Sequence, residues 1–379
     1  MTARPLEPSF LDRALKLAER GRYGVSPNPM VGAVVVRAGR VVGEGYHHRA
    51  GGPHAEVLAL SQAGRLARDG DLYVTLEPCN HSGRTPPCTD AIRRAGIARV
   101  LLALPDPNPL VAGGGAAALS RAGVLVRRAD AGRARLAALQ NEKFLTHASK
   151  GRPFVLAKWA STLDGRLADF EGASRWITGE AARRRALLLR EEYDAVLVGA
   201  QTVFTDDPRL TRRLGKNPSR GHWRIVLDGR LRIPERARLL RRPRGVVVVT
   251  SRPADSPKAR RLAARGVEIW SLRGSAAGRV SIPELLERLA ERGVTSLMVE
   301  GGGETHWSFF SAGAVDRVCV FVAPSILGGA RTPAALGGKG FRLAAALRLE
   351  EVEVASVGAD LMITGRVAAR ARGAAGRRR

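Results

Sequence analysis

His54 and Glu56 stand two residues apart in "PHAEVLAL", and Cys79 and Cys88 bracket "PCNHSGRTPPC" a short way downstream. One imidazole and two thiolates form a ligand set that zinc prefers, and a catalytic zinc keeps a fourth position open to water. The metal would bring the pKa of that water towards neutrality. His54 and Glu56 share the N-terminal end of one predicted helix. Cys79 follows Pro78 at a strand end, and Cys88 opens the next helix, where unpaired N–H groups and the helix dipole favour a thiolate. Glu56 is not a ligand in this arrangement. It serves instead as the general acid–base that takes a proton from water and returns it to a ring nitrogen and to departing ammonia. Four chemically suited residues in one short window outweigh the alternative of a buried histidine and two core thiols.

These residues need a layered scaffold, and the apolar pattern supplies one. The spacing predicts a helix over 9–21, a hairpin over 30–47 turning at Gly39, a helix over 54–67, a strand over 71–76 and a helix over 88–97. A strand begins at 98, and "AAALSRAGVLVRRA" gives one more helix and strand, so an α/β domain is expected to end at 147. The polar "HASKGRP" at 147–153 reads as the boundary. A second α/β set is expected over 148–368, with strands at 154–160, 194–200, 223–228, 245–251, 295–300 and 317–323 and a strand pair within 349–367. The tail at 369–379 offers no core-forming residue beyond alanine and is expected to be disordered.

Composition narrows the function classes. The chain has 379 residues, 45% apolar, enough for about two domains. No run approaches the ~18 apolar residues of a membrane span, and the N-terminal stretch reads as an amphipathic helix and not as a signal peptide. Three cysteines cannot frame a disulfide scaffold, which points to a reducing, cytoplasmic compartment and to metal use of the thiols. The net charge is +27, and 55 of the 62 basic residues are arginine. They are spread over helical stretches such as "AARRRALLLRE". Aromatics are only 5%, too few for a base-stacking platform, so no nucleic-acid partner is expected. A phosphorylated small substrate needs only a few placed arginines.

Zinc nucleobase deaminases carry H-x-E…P-C-x-x-C, whereas this chain has P-C-x8-C. With that longer insertion, "PNP" at 27–29, "GEGYHHRAGGPHAE" at 43–56, "TLEPCNHSGRTPPC" at 75–88 and "DPNPLVAGGG" at 106–115 resemble the deaminase domain of the bifunctional riboflavin-biosynthesis deaminase/reductase family. The resemblance implies a three-layer, cytidine-deaminase-like fold. It also implies that Asn28, His47 and His81 line the pyrimidine and ribose-phosphate pocket, Asn28 reading the base edge. Met30 and Asn80 depart from the Asn and Ser common in that family and touch no proposed ligand.

Residues beyond 153 signal less by themselves. "SLMVEGGGETHWSFF" is a strand, three glycines and a helix beginning near Thr305, a turn that lets phosphate approach the backbone. With "LAKWASTLDGRLA", "SRWITG", "GAQTVFTDDPRLT" and "RIVLDG", it resembles the reductase half of the same family, whose fold is similar to dihydrofolate reductase. That resemblance implies NADPH held by Ala160, Trp176, Thr202, Asp206, Gly229, Gly302, Gly303, Glu304 and Thr305. It implies substrate contacts from Lys158, Ser174, Arg190, Leu210, Arg213 and Glu300, with Arg190 and Arg213 as phosphate clamps and Asp206 or Lys158 in proton transfer. Cys319 reads as core. The implied chemistry is hydrolysis of an exocyclic amine on a diaminopyrimidinone ribosyl phosphate, then hydride transfer from NADPH to the ribose C1′; a homodimer or larger homo-oligomer fits the family. Two alternatives stay open on sequence alone: a deaminase with a non-catalytic C-terminal binding domain, and an RNA-binding deaminase-like protein.

Overall fold

The computed structural model describes residues 5–81, 86–107, 114–215, 221–275 and 278–368. The tail and parts of the 75–88 and 106–115 segments lie outside them. The chain divides into two compact units, Met1–Arg152 and Pro153–Arg379.

The first unit contains α1 (Pro8–Ala18), the hairpin β1 (Gly32–Arg37) and β2 (Arg40–Tyr46), α2 (Ala55–Ala63), β3 (Asp71–Val74), α3 (Cys88–Arg94), β4 (Arg99–Leu102), α4 (Gly114–Arg121), β5 (Leu125–Arg128), α5 (Ala131–Gln140) and α6 (Glu142–Lys150). Its sheet runs β2-β1-β3-β4-β5. β1 is antiparallel to both neighbours, and β3, β4 and β5 are parallel. Alternation along β1 sorts the layers: Val34 and Val36 pack with Leu11 and Leu15 of α1, while Ala33 and Val35 pack with Ala55 and Ala59 of α2, Ile92 of α3 and Leu119 of α4. The three-layer expectation therefore holds. α2 is shorter than the expected 54–67, because Gly64 leaves helical geometry at φ 54°. Two elements escape sequence reading. α5 buries only Ala137, so it lacks an apolar stripe, and α6 carries the helix into the 147–153 stretch before Gly151 ends it in the left-handed conformation.

The second unit contains β6 (Phe154–Thr162), α7 (Glu180–Glu192), β7 (Ala195–Gly199), α8 (Ala200–Asp206), β8 (Trp223–Leu227), β9 (Val246–Thr250), α9 (Pro257–Ala264), β10 (Glu268–Ser271), α10 (Ile282–Glu291), β11 (Ser296–Val299), α11 (Gly303–Ser311), β12 (Arg317–Ala323), β13 (Leu349–Val357) and β14 (Asp360–Val367). The order is β10-β9-β8-β7-β11-β6-β12-β14-β13, parallel through β12 and antiparallel at β14 and β13. Parallel strands covered on both faces read as continuous apolar runs, and β9, "VVVVT", is buried throughout. On one face Val196 and Val198 of β7 pack with α7 and α9; on the other, Ala195 and Leu197 pack with α10 and α11. The carboxyl ends of β6, β7, β8 and β11 share one edge of this sheet, the side on which α/β folds carry ligands. No helix among the described residues is long and apolar enough to cross a membrane.

Candidate active sites

In the first unit, sheet and helices bring separated sequence segments to one point. His54 is the N-cap residue of α2, Cys88 is the first residue of α3, and Cys79 lies in the loop after β3. His54 Nδ1 is 3.2 Å from Cys88 Sγ and 3.5 Å from Cys79 Sγ, and the three ligand atoms lie within 4.8 Å of one another. Zinc bonds of about 2.0 Å to nitrogen and 2.3 Å to sulfur place tetrahedral ligand atoms roughly 3.5–3.8 Å apart, so the donor set fits the ion. Hydrogen bonding by Cys88, followed by that from His54, outweighs burial and holds the Cys79 thiol at about 4. The Cys88 backbone N–H also donates to Cys79 Sγ at 3.4 Å. Glu56, 4% exposed, lies in the first turn of α2, and burial raises its pKa.

His47 is buried, contrary to what a surface histidine would show. Its Nδ1 is 3.0 Å from Pro53 O and its Nε2 is 3.1 Å from Asn28 Nδ2. Nδ1–H therefore donates to the carbonyl and Nε2 accepts from the Asn28 amide, which fixes the neutral tautomer. Burial lowers the His47 pKa, in agreement. His47 thus orients Asn28, and its ring meets His54 edge-on at 5.5 Å. His81 is exposed two residues beyond Cys79. Sequence reasoning missed two supports. Buried Glu77 accepts from Ala116 N (2.9 Å) and Asp106 N (3.3 Å), tying the Cys79 loop to α4. Asn141 brackets Met30, accepting from its N–H (2.7 Å) and donating to its carbonyl (2.9 Å), which holds the Asn28 loop. The only sequence signal was an acid immediately before Pro78-Cys79; Asn141 gave none.

In the second unit a cavity of about 1290 Å³ opens at the carboxyl ends of β6, β7, β8 and β11. All fifteen reductase residues singled out from the sequence line it: Lys158, Ala160, Ser174, Trp176, Arg190, Thr202, Asp206, Leu210, Arg213, Gly229, Glu300, Gly302, Gly303, Glu304 and Thr305. Trp176 is 70% exposed, with the Arg183 guanidinium 4.5 Å from its ring centroid, and so is not a core tryptophan. Leu210 is buried in the core, leaving its backbone for the cavity. The Glu304 side chain is turned to Gly338 N at 2.9 Å. Ser174 Oγ donates to Asp206 Oδ1 at 3.3 Å.

Arg190 is paired within the protein. Its Nε and Nη2 donate to Glu300 at 3.0 and 2.8 Å and its Nη1 to Thr211 O at 3.3 Å. Two nitrogens of its fork are engaged with Glu300, and Arg213 lines the same cavity. Burial alone would raise the Glu300 pKa, but the charges of Arg190 and Lys158 hold it at about 2. Burial and the charges of Arg190, Arg209 and Arg238 lower the Arg213 pKa, against the opposing charge of Glu300. Arg209 and Arg238 line the same cavity and were not singled out from sequence.

Residues 153–363 match the family "RibD C-terminal domain", and residues 6–104 match the "Cytidine and deoxycytidylate deaminase zinc-binding region". The chain is 43% identical over 365 residues to the riboflavin biosynthesis protein RibD of Aquifex aeolicus, covering 95% of this chain and 98% of that protein. The chain belongs to the RibD family. A solved RibD structure from Acinetobacter baumannii aligns with a TM-score of 0.84 at 36% identity, covering 95% of this chain and 98% of that one. A structure from Thermotoga maritima, described as a diaminohydroxyphosphoribosylaminopyrimidine deaminase and 5-amino-6-(5-phosphoribosylamino)uracil reductase, aligns at 0.81 with 35% identity and the same coverage, 95% and 98%. As a member of that family the chain is a bifunctional deaminase/reductase of riboflavin biosynthesis, with a zinc-dependent first half and an NADPH-dependent second half. The alternative of a non-catalytic second domain gives way to that membership.

Proposed function

We propose that the two sites act in sequence on one phosphorylated pyrimidine, 2,5-diamino-6-(5-phosphoribosylamino)pyrimidin-4(3H)-one, in a deaminase domain at 1–147 and a reductase domain at 148–368. The observation that carries the reading is the convergence of His54, Cys79 and Cys88, with Glu56 buried beside them. Those three side chains would hold zinc, which when bound acidifies a water molecule for attack. Glu56 takes one proton from the water and gives it to the ring nitrogen, then takes the second from the hydroxyl of the tetrahedral adduct and gives it to the amine, as the bond from ring carbon to exocyclic nitrogen breaks and ammonia departs. Asn28, oriented by His47, reads the base edge, and His81 stands at the ribose-phosphate side.

In the second site NADPH supplies the hydride to C1′. A proton must reach the ring oxygen as the C1′–O bond opens to give the ribityl chain, and Asp206 and Lys158 stand for that transfer. Arg213 clamps the substrate phosphate; Arg190 orients Glu300 against the substrate, beside Ser174 and the Leu210 backbone. Ala160, Trp176, Thr202, Gly229 and the 302–305 turn hold the dinucleotide. The Gly302-capped end of α11 faces the cavity, where helix N–H groups suit a diphosphate. The reading extends to a cytoplasmic homo-oligomer. It is supported by thiols concentrated at the metal site and by the exposed apolar residues Val352 and Val354 on the edge strand β13, and sedimentation velocity would test the assembly.

The test is Glu56→Gln. The variant should bind zinc at wild-type stoichiometry and lose ammonia release by about 10²–10⁴-fold. Undiminished ammonia production would remove Glu56 from the mechanism.

A further inference from the structure

The cavity of the second unit extends past the glycine turn of α11 to the end of β8, where the sequence resemblance assigned only Gly229. In the sheet, β6, β11, β7 and β8 are consecutive neighbours. Three strand spacings of ~4.8 Å separate the outer two, about 14 Å. A dinucleotide laid from β6 across the start of α11 would reach the end of β8.

In dinucleotide-binding α/β folds, a free carboxylate at such a strand end takes the ribose 2′-hydroxyl of NAD, and an arginine takes the 2′-phosphate of NADP. Here the strand-end carboxylate is Asp228, which is 2% exposed and accepts from Ile233 N at 2.7 Å. It lines the cavity wall but is almost fully buried, one oxygen being engaged by the Ile233 N–H. The next turn is built rigidly. Gly229 O accepts from Thr250 Oγ1 (3.1 Å), Ser251 Oγ (2.8 Å) and Ser251 N (3.1 Å). Its backbone lies so close to Gly278 that a Cβ on Gly229 would fall 1.7 Å from Gly278 O. Arg230 is seated across that contact, its Cγ 2.6 Å from where a Cβ on Gly278 would stand. Arg279 follows Gly278 directly. Both arginines are exposed and line the cavity. Among the described residues neither guanidinium has a carboxylate partner. By contrast, the carboxylates of Glu300 and Glu304 are engaged with Arg190 and Gly338 N. Two guanidinium groups without a carboxylate partner, on abutting turns, make an anion site.

We propose that Arg230 and Arg279 bind the 2′-phosphate of NADPH and set the preference for NADPH over NADH. The assignment rests on the reductase reading of this cavity. Isothermal titration of the zinc-loaded, full-length protein with NADP⁺, NAD⁺ and 2′,5′-ADP tests it without turnover. Wild type should bind NADP⁺ more tightly than NAD⁺ and should also bind 2′,5′-ADP. Arg230→Ala and Arg279→Ala should each weaken NADP⁺ and 2′,5′-ADP by about tenfold, the size of one charge-assisted hydrogen bond, and leave NAD⁺ within twofold. Arg230→Lys should restore part of the loss. Equal weakening of NADP⁺ and NAD⁺ would move the arginines to the diphosphate and overturn the proposal, as would unchanged affinities. Wild-type protein that binds neither dinucleotide would overturn the reductase reading itself, and the subsite with it.

Discussion

At the scale of single residues, chemistry in this enzyme is set by which neighbours a charge has. Glu300, just past the end of β11, and Arg190 of α7 meet with side chains 14% and 11% exposed. Arg190 and Lys158 hold the Glu300 carboxyl at about 2 against the ordinary 4.5, although burial acts the other way. A carboxyl held below its unfolded value contributes stability that is complete above that unfolded value and is lost as pH falls through the folded one. The reductase unit should therefore lose stability between pH 4.5 and 2 more steeply than a Glu300→Gln variant, by on the order of 3 kcal/mol across the window. At pH 7 the variant should be the less stable by roughly 3 kcal/mol, because Arg190 is left buried without its partner. Urea melts at pH 2 and pH 7 read both quantities. Equal pH slopes for the two proteins would mean that Glu300 titrates normally. None of this pairing was legible in the sequence, where residues 190 and 300 are far apart and Arg190 was assigned to phosphate. The zinc site was legible, because its residue types have few other uses in such a short window.

At the scale of elements, the metal site depends on backbone contacts that side-chain patterns do not announce. α4 begins against the loop that carries Cys79. Glu77 accepts from Ala116 N, and a Cβ on Gly115 would fall 1.9 Å from Pro78 O. Backbone that close cannot yield as a flexible side chain would. Gly115→Ala should displace the Pro78–Cys79 segment, reduce zinc occupancy and destabilise the deaminase unit by about 1–3 kcal/mol. Gly114→Ala meets nothing within 4 Å and should be neutral or stabilising by up to ~1 kcal/mol. Metal analysis and thermal melts of the two variants separate steric closeness from helix propensity; equal behaviour would discard the contact argument. Strands were the elements best read from sequence, since buried runs such as β9 and β12 have no other explanation. Helices with one buried residue, such as α5, were missed, and so was β10, four residues at the far edge of the sheet. The Gly229–Gly278 contact, which builds the Arg230 platform, joins two loops whose sequences carry no shared pattern.

At the scale of the whole molecule, the net charge of +27 was the least informative number in the sequence. What matters is that each unit has cores of its own. The clusters around β1 and around β7 are formed entirely within residues 1–152 and 153–379, respectively. The His54, Cys79 and Cys88 cluster lies in one unit and the large cavity in the other. A ligand that binds only the folded state stabilises the unit that holds it, by about 2.7 kcal/mol at a hundred times its Kd. All five tryptophans, Trp159, Trp176, Trp223, Trp270 and Trp307, fall in the second unit, so their fluorescence follows the reductase unit alone while circular dichroism follows both. Chelating zinc should thus lower a transition seen by circular dichroism and leave the tryptophan transition in place. NADP⁺ should raise the tryptophan transition by several degrees and leave the other unmoved. If either ligand shifted both transitions together, the two halves would unfold as one cooperative block, and the separate cores would not be separate in energy.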